Sequence, residues 1–134
     1  MTTSVRPEIS KKSKWWISKH RYYELRHFSL QYRDWKDAYN DILLGGKSEI
    51  QGDKEWSDPT GTIVTKAERY LENCRLIEEC AFLADEDIFD YLMLAVTEGK
   101  SYTYLSTVLE MPCSKEMFYD RYRKFYYILS CRRL

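Results

Sequence analysis

The C-terminal part of the chain interleaves basic and aromatic side chains in a pattern that suits contact with nucleic acid. It lies in the stretch MPCSKEMFYDRYRKFYYIL, residues 111–129. If this stretch is a helix, Tyr119, Arg123 and Lys124 point away from its apolar side, and Lys115 lies at the edge of that outer face. Lysine and arginine neutralise phosphates, and arginine also donates paired hydrogen bonds to guanine. Because a tyrosine can contact a phosphate or a thymine methyl group, the pattern predicts binding to duplex DNA.

The opposite side of the same helix is apolar. Large side chains recur there at steps of four, three and four residues: Phe118, Tyr122, Phe125 and Leu129. That spacing is typical of one buried helix face. Ser114 precedes the helix and can cap its free backbone amides, which could also hold a phosphate. The predicted DNA-binding residues are therefore Ser114, Lys115, Tyr119, Arg121, Arg123 and Lys124.

The neighbouring residues predict a helix-turn-helix, in which the second helix lies in the major groove. A short helix over about 102–109 is followed by a turn and then by the basic helix over about 114–131. Glu110 stands where the commonest pattern has a glycine, and the turn is longer than usual. We expect this hairpin, residues 99–132, to be the C-terminal portion of one helical domain at 15–134.

Composition and spacing predict an all-α fold, a helical bundle. The chain has 134 residues with only 3 prolines and 5 glycines, and 44% of its residues are hydrophobic. Apolar side chains over 25–42 predict one long helix at about 18–44, or two helices that break near Tyr32. No apolar run approaches the roughly 18 residues that span a bilayer, so we expect a cytoplasmic protein that does not enter membranes.

The strongest helical signal follows Pro59, which suits a first helical position. Residues at steps of four and three form an a/d seam: Ile63, Ala67, Tyr70, Cys74, Ile77, Ala81 and Ala84. The alanines favour packing inside the chain, and a homodimer through the 63–84 helix is the alternative. The acids at 85–87 are expected to open a further helix, which Gly99 ends.

Charge is unevenly distributed although the net charge is zero. Residues 1–40 hold nine Lys or Arg against four Asp or Glu, 41–98 hold five against fourteen, and 99–134 hold seven against three. Basic segments attract phosphate and acidic segments are repelled by it. We therefore expect the two ends to face DNA. Residues 1–14 are expected to form a mobile basic tail, and Trp15 with Trp16 to anchor that tail to the bundle.

No catalytic or metal-binding pattern accompanies these features. The four cysteines form no CxxC pair, and His20 and His27 have neither metal-ligand spacing nor a nucleophile beside them. The sequence also lacks a glycine-rich phosphate loop and a nucleophile elbow. We therefore expect a protein without enzymatic activity, without a metal and without a cofactor.

Several segments resemble small phage and prophage proteins of Firmicutes that are similar to the ArpU/RinA-type late transcription regulators. They are ISKHRYYELRHFSLQYRDW, SDPTG, LIEECAFLADEDI, AVTEGKSYTYL and MPCSKEMFYDRYRKFYYILS, and they cover about residues 14–132. The resemblance implies a C-terminal hairpin like region 4 of sigma factors. It places the recognition helix at 114–129, with Lys115, Tyr119, Arg123 and Lys124 in the reading positions. It also implies control of phage packaging and structural genes together with host RNA polymerase.

A second function class uses the same residues differently. Tyrosine and arginine are common anchors of protein interfaces, so the chain could be a helical phage protein that binds and modulates a host protein without binding DNA. Tyr119, Tyr127 and Trp56 would then be exposed contact residues. The two hypotheses differ in whether nucleic acid or protein covers the outer face of the last helix.

Overall fold

Six helices make up the described part of this computed structural model, which covers residues 13–45 and 59–134 without the side chains of 59–64. They are α1 (Lys19–Ser29), α2 (Tyr32–Leu43), α3 (Pro59–Ala84), α4 (Phe89–Glu98), α5 (Tyr102–Thr107) and α6 (Lys115–Arg132). No strand occurs in these ranges. The predicted all-α helical bundle is therefore confirmed. Within the same ranges, no helix is long and apolar enough to span a membrane.

The first apolar stripe forms two helices and not one. α1 begins after Ser18, whose hydroxyl accepts a hydrogen bond from the Arg21 amide at 3.2 Å. It ends at Leu30 and Gln31, whose amides bond back into its last turn. Phe28 and Trp35 contact each other across the break, with ring centroids 4.9 Å apart. Of the two alternatives that the stripe allowed, the break near Tyr32 is correct.

The long helix α3 packs within the chain. Five seam residues are buried: Ala67, Cys74, Ile77, Ala81 and Ala84. α2, α4 and α6 all pack against α3. Tyr70 is half-buried, and the side chain of Ile63 lies outside the described residues. Most of the seam is therefore covered within the chain, as the intramolecular alternative predicted, and a homodimer through the 63–84 helix stays a prediction.

The core lies where α1, α3, α4 and α6 meet. Leu25, Ile77, Leu92 and Phe125 come from these four helices and are fully buried. The predicted buried face of α6 is confirmed, since Phe118, Tyr122, Phe125 and Leu129 are all buried. Tyr126 is buried as well, so that face is wider than the sequence spacing indicated.

The acids at 85–87 do not open α4 as expected. The Asp85 carboxylate accepts a hydrogen bond from the Asp87 amide at 2.9 Å, which closes a turn before the helix. α4 starts at Phe89, and its first turn holds only Asp90. One carboxylate oxygen of Asp85 therefore organises the turn between α3 and α4, and the other accepts a hydrogen bond from Arg121 on α6. The predicted end of α4 at Gly99 is confirmed, with φ of 72°.

The turn after α5 repeats the backbone geometry seen after α4. Glu110 has φ of 55°, in the left-handed region that glycine occupies at Gly99. In each case the next amide bonds to the carbonyl six residues back: Lys100 to Leu94 at 3.3 Å, and Met111 to Leu105 at 3.0 Å. A residue with a side chain is strained in this region by roughly 1–2 kcal/mol. Glu110 therefore carries strain that a glycine at the same position would not have.

Replacing Glu110 with glycine should therefore stabilise the protein, by about 1 kcal/mol after allowing for the greater freedom of glycine in the unfolded chain. Urea unfolding followed by circular dichroism measures this change. The matched control is Gly99→Ala, which introduces the same strain at a site with no atom within 4 Å of the new Cβ. It should destabilise the protein by a similar amount. Stabilities that are unchanged in both variants would contradict this account of the two turns.

Candidate nucleic-acid interface

The first turn of α6 is exposed to solvent. The Ser114 hydroxyl caps the helix by accepting a hydrogen bond from the Met117 amide at 3.1 Å. The side chains of Lys115, Glu116 and Met117 are exposed. Helix geometry leaves the first backbone amides without an intrahelical partner, and the helix dipole places partial positive charge there. Two of the six predicted residues, Ser114 and Lys115, therefore lie where the sequence placed them.

Tyr119 differs from the prediction because it is half-buried and belongs to an aromatic cluster. Its ring centroid lies 6.2 Å from that of Tyr102 on α5 and 5.1 Å from that of Phe118. Burial, with a contribution from Tyr102, raises the pKa of its hydroxyl. Tyr119 therefore helps to pack α5 against α6, and only its outer edge remains for a ligand.

Arg121 also differs, because its charge is used inside the protein. Its guanidinium bonds to the Asp85 carboxylate at 3.0 Å and to the carboxylate of Asp120. These bonds, that to Asp85 foremost, raise the pKa of Arg121. The pair joins α6 to the turn before α4, so Arg121 is a structural residue. The helical wheel could not reveal this, since Asp85 lies 36 residues away in the chain.

Arg123 and Lys124 have no carboxylate partner in the described part of the chain. Both are half-buried. The Nε atom of Arg123 is buried and has no hydrogen-bond partner among these residues. A buried donor that lacks a partner carries a desolvation cost, which a ligand oxygen could remove. Lys124 lies over the indole ring of Trp15, with its Nζ 5.4 Å from the ring centroid.

The segment before α1 crosses the outer face of α6. The indole Nε1 of Trp15 donates a hydrogen bond to Asp120 at 3.1 Å, and its ring lies 5.4 Å from that of Tyr127. Lys14 contacts the same indole, with its Nζ 5.0 Å from the centroid. The expected anchor of the tail is thus observed at Trp15. The predicted mobile tail covered residues 1–14. Its last two residues are already part of the fold, since the Ser13 carbonyl accepts from the Trp16 amide and Lys14 contacts the Trp15 ring, and residues 1–12 lie outside the described residues.

This crossing changes which part of α6 is accessible. Asp120 and Tyr127 point outward from the middle of the helix, and Trp15 covers them both. The first turns, from Ser114 to Tyr119, are not covered by this segment. The exposure of Tyr127 that the protein-binding alternative expected is reduced accordingly, and Trp56 lies outside the described residues.

Beneath the interface, tyrosines connect α6 to α1. The hydroxyls of Tyr22 and Tyr122 share a hydrogen bond at 2.8 Å, and the ring of Tyr126 packs against both. Burial is the largest cause that raises the pKa of each of these three hydroxyls above its usual value. The nearby Arg26 guanidinium opposes that rise without cancelling it. The cluster holds the helix that carries the interface against the body of the protein.

Alkaline pH should destabilise the protein through this cluster. The unfolded chain ionises its tyrosines near pH ~10, whereas the folded chain keeps those protons to higher pH. The stabilisation that these protonated tyrosines contribute is therefore complete below about pH 10, and it is lost as the pH rises above that value. The free energy of unfolding, measured in urea at a series of pH values, tests this. The Tyr22→Phe variant lacks one of the ionisable groups and should show a shallower decline. An equal decline in both proteins would contradict the assignment.

The described residues contain no group of three or more metal-binding side chains placed to hold an ion. His20 and His27 are both exposed. Burial raises the pKa of the Cys74 thiol to about 11 and that of the Cys80 thiol to about 12, which leaves both protonated at neutral pH. These two cysteines behave as small core residues.

Comparisons of the chain with known protein families, with curated proteins and with solved structures find no match. The resemblance to the ArpU/RinA-type regulators therefore stays a prediction from the sequence.

Two parts of the interface were not predicted by spacing along α6. Lys14 joins it through Trp15, which lies 105 residues from its partner Asp120. Lys100 joins it from the turn before α5, where its Nζ lies 4.8 Å from the ring centroid of Tyr104. The sequence did carry one signal, since Lys14 precedes Trp15 and the face of a tryptophan is the best aromatic partner for a cation. Which helix that tryptophan contacts is decided only by the fold.

Proposed function

We propose that the protein binds duplex DNA through the α5–α6 hairpin, with the first turns of α6 in the major groove. The observation that carries the proposal is the set of cations around this hairpin that lack a carboxylate partner in the described chain. Its members are Lys14, Lys100, Lys115, Arg123 and Lys124. Arg33, Lys36 and Arg132 differ, since each pairs with a glutamate. Arg69 and Arg75 also lack a carboxylate partner among the described residues, but they lie on α3, outside the hairpin. Free cations beside an exposed helix start suit a polyanion.

The path of Trp15 across α6 sets the depth at which the helix would enter the groove. Recognition helices contact base edges with their N-terminal residues, and these are the residues that Trp15 leaves open. Lys115 would donate to guanine or phosphate, and Glu116 would accept from a cytosine amino group. Lys14 and Lys124 would flank the groove and contact phosphates. Both ammonium groups lie within 5.4 Å of the Trp15 ring centroid, and like charges on one indole favour a bound anion.

Replacing Trp15 with alanine should therefore weaken DNA binding, because it releases both Lys14 and Lys124 from their positions. Loss of two phosphate contacts corresponds to a salt dependence that is shallower by about 2 in log–log slope. Fluorescence anisotropy with labelled duplex at several salt concentrations measures this. Trp15→Phe keeps an aromatic ring for the lysines and is the matched control. Tighter binding by Trp15→Ala would mean that this segment covers the interface and is not part of it.

The biological role that fits this proposal is control of transcription in a phage or prophage, in the cytoplasm of a bacterial host. The resemblance to ArpU/RinA-type regulators supports it, as does the order of a short helix, a turn and a basic helix. The hairpin would act like region 4 of a sigma factor, with host RNA polymerase as a protein partner. Glu110 supports the comparison, since its left-handed backbone supplies what the usual turn glycine supplies.

Binding of the purified full chain to duplex fragments tiled across its own genome neighbourhood tests the function. One or a few fragments should bind at least 10³ times more tightly than the rest at moderate salt, as specific recognition requires. Affinity should fall steeply with salt, with a log–log slope of about −4 for four or five phosphate contacts. If no fragment binds at low salt, the proposal is wrong and the protein-binding alternative takes its place.

A further inference from the structure

An apolar groove lies on the other side of the molecule, where α3 ends and α4 begins. Phe82 and Leu83 are 50% and 54% exposed, and both line the same groove, so they form one apolar patch. The ring of Phe89 lies 6.2 Å from that of Phe82 and extends the apolar surface toward the core. Glu78, Glu79 and Arg132 complete the lining of this shallow groove.

The groove is distant from the proposed DNA surface. Arg132, which lines it, is the last residue of α6, and Ser114 and Lys115 lie at the opposite end of that helix. At about 1.5 Å per residue the two ends are roughly 25 Å apart. A ligand in the groove would therefore not compete for space with a duplex at the start of α6.

The chain around the groove is strongly acidic. Residues 78–90 contain six Asp or Glu and no Lys or Arg. Three of these acids meet a cation from another helix: Glu78 with Lys36, Glu79 with Arg132, and Asp85 with Arg121. The remaining acids, Glu86, Asp87 and Asp90, are exposed and have no cationic partner among the described residues. Because Arg132 is already paired, the lining offers no free positive charge.

The acidic charge around the groove favours some ligands of the groove over others. In a twofold dimer the same patch meets itself, so a second copy would bring these acidic residues against their own equivalents. Duplex DNA is excluded by the same repulsion. An amphipathic segment that carries large apolar side chains on one face and Lys or Arg beside them matches the apolar floor, and it also matches the acidic character of residues 78–90, which supply most of the lining. We propose that this groove docks a basic amphipathic helix of a partner protein.

Three synthetic peptides of 16 residues test the proposal with the full-length protein. They share one sequence of leucines at helical spacing, with lysine, glutamine or glutamate at the polar positions. A fourth peptide has the composition of the lysine peptide but scrambled leucines. Anisotropy should give the lysine peptide at least ten-fold tighter binding than the glutamate peptide and the scrambled peptide. Equal affinity for the lysine and glutamate peptides, or for the lysine and scrambled peptides, would overturn the proposal.

Two variants locate the binding. Phe82→Ser/Leu83→Ser replaces side chains that are half exposed, and should weaken the lysine peptide at least ten-fold with little loss of stability. Glu86→Gln/Asp87→Asn/Asp90→Asn should weaken the lysine peptide and leave the glutamine peptide unchanged. Peptide binding that survives the first variant, or a dimer in sedimentation that the first variant abolishes, would contradict a heterologous partner. DNA affinity should be unchanged in both variants, so failure here is distinguishable from failure of the proposed DNA-binding function.

Discussion

Replacing Lys115, Arg123 and Lys124 together with alanine should abolish sequence-specific DNA binding and leave the fold intact. The three side chains supply positive charge that no carboxylate in the described chain neutralises, and none of them is fully buried. Each lost phosphate contact reduces the log–log salt slope by about 0.9, and a lost base contact costs about 1–3 kcal/mol. Together these losses should weaken binding by roughly 10² to 10⁴-fold. Anisotropy with the duplex that wild-type protein prefers gives the measurement, and circular dichroism monitors the fold.

A control must remove the same charge from elsewhere. Arg33→Ala/Arg69→Ala/Arg75→Ala deletes three exposed cations from α2 and α3, and the only ion pair it breaks among those described is an exposed one with Glu98. Such pairs contribute little to stability. This variant has the same net charge as the α6 variant and should bind DNA nearly as wild type does. If the two variants lose equal affinity for DNA, binding depends on overall charge, and α6 is not the recognition helix.

Replacing Phe125 with alanine should have the largest effect on stability, about 3–5 kcal/mol. Phe125 is fully buried, where α6 packs on the rest of the bundle, and its ring lies 4.8 Å from that of Tyr126. Since a protein of this size is stable by only about 5–15 kcal/mol, the variant should be largely unfolded at modest temperature or in dilute urea. Thermal and urea unfolding followed by circular dichroism measure the loss.

The same substitution at Phe82 separates burial from residue type. Phe82 is 50% exposed, so Phe82→Ala should cost well under half as much as Phe125→Ala. It should instead weaken the docking of the basic amphipathic peptide. Similar losses of stability in the two variants would contradict the division of these phenylalanines between core and surface.

The fold was predictable to the extent that it depends on local periodicity. The a/d seam of α3 and the apolar face of α6 were visible because a helix repeats its buried positions every three or four residues. The break between α1 and α2 could not be chosen over one long helix, because the stripe continues through Tyr32 in either case. The Leu30 and Gln31 amides bond back into α1 only in the folded chain.

The candidate site was predictable only in part, because spacing shows which way a side chain points and not what it meets. Arg121 lies at the edge of the outer face by spacing, yet Asp85 from the α3–α4 turn holds its charge. Tyr119 points outward on a helical wheel, yet Tyr102 on α5 half-buries it. Lys124 was correctly placed outward, but its contact with Trp15 depends on a segment more than 100 residues away in the chain.

Binding of DNA by the first turns of α6 is tested most directly by a nuclear magnetic resonance titration of the ¹⁵N-labelled full chain with its preferred duplex. We expect amide shifts concentrated at Ser114–Tyr119, Arg123 and Lys124, with smaller changes at Lys14 and Trp15. Amides near Phe82 and Phe89 should not move, because that end of the bundle is acidic and distant. Shifts confined to α3 and α4, or no shifts at low salt, would contradict the proposed interface.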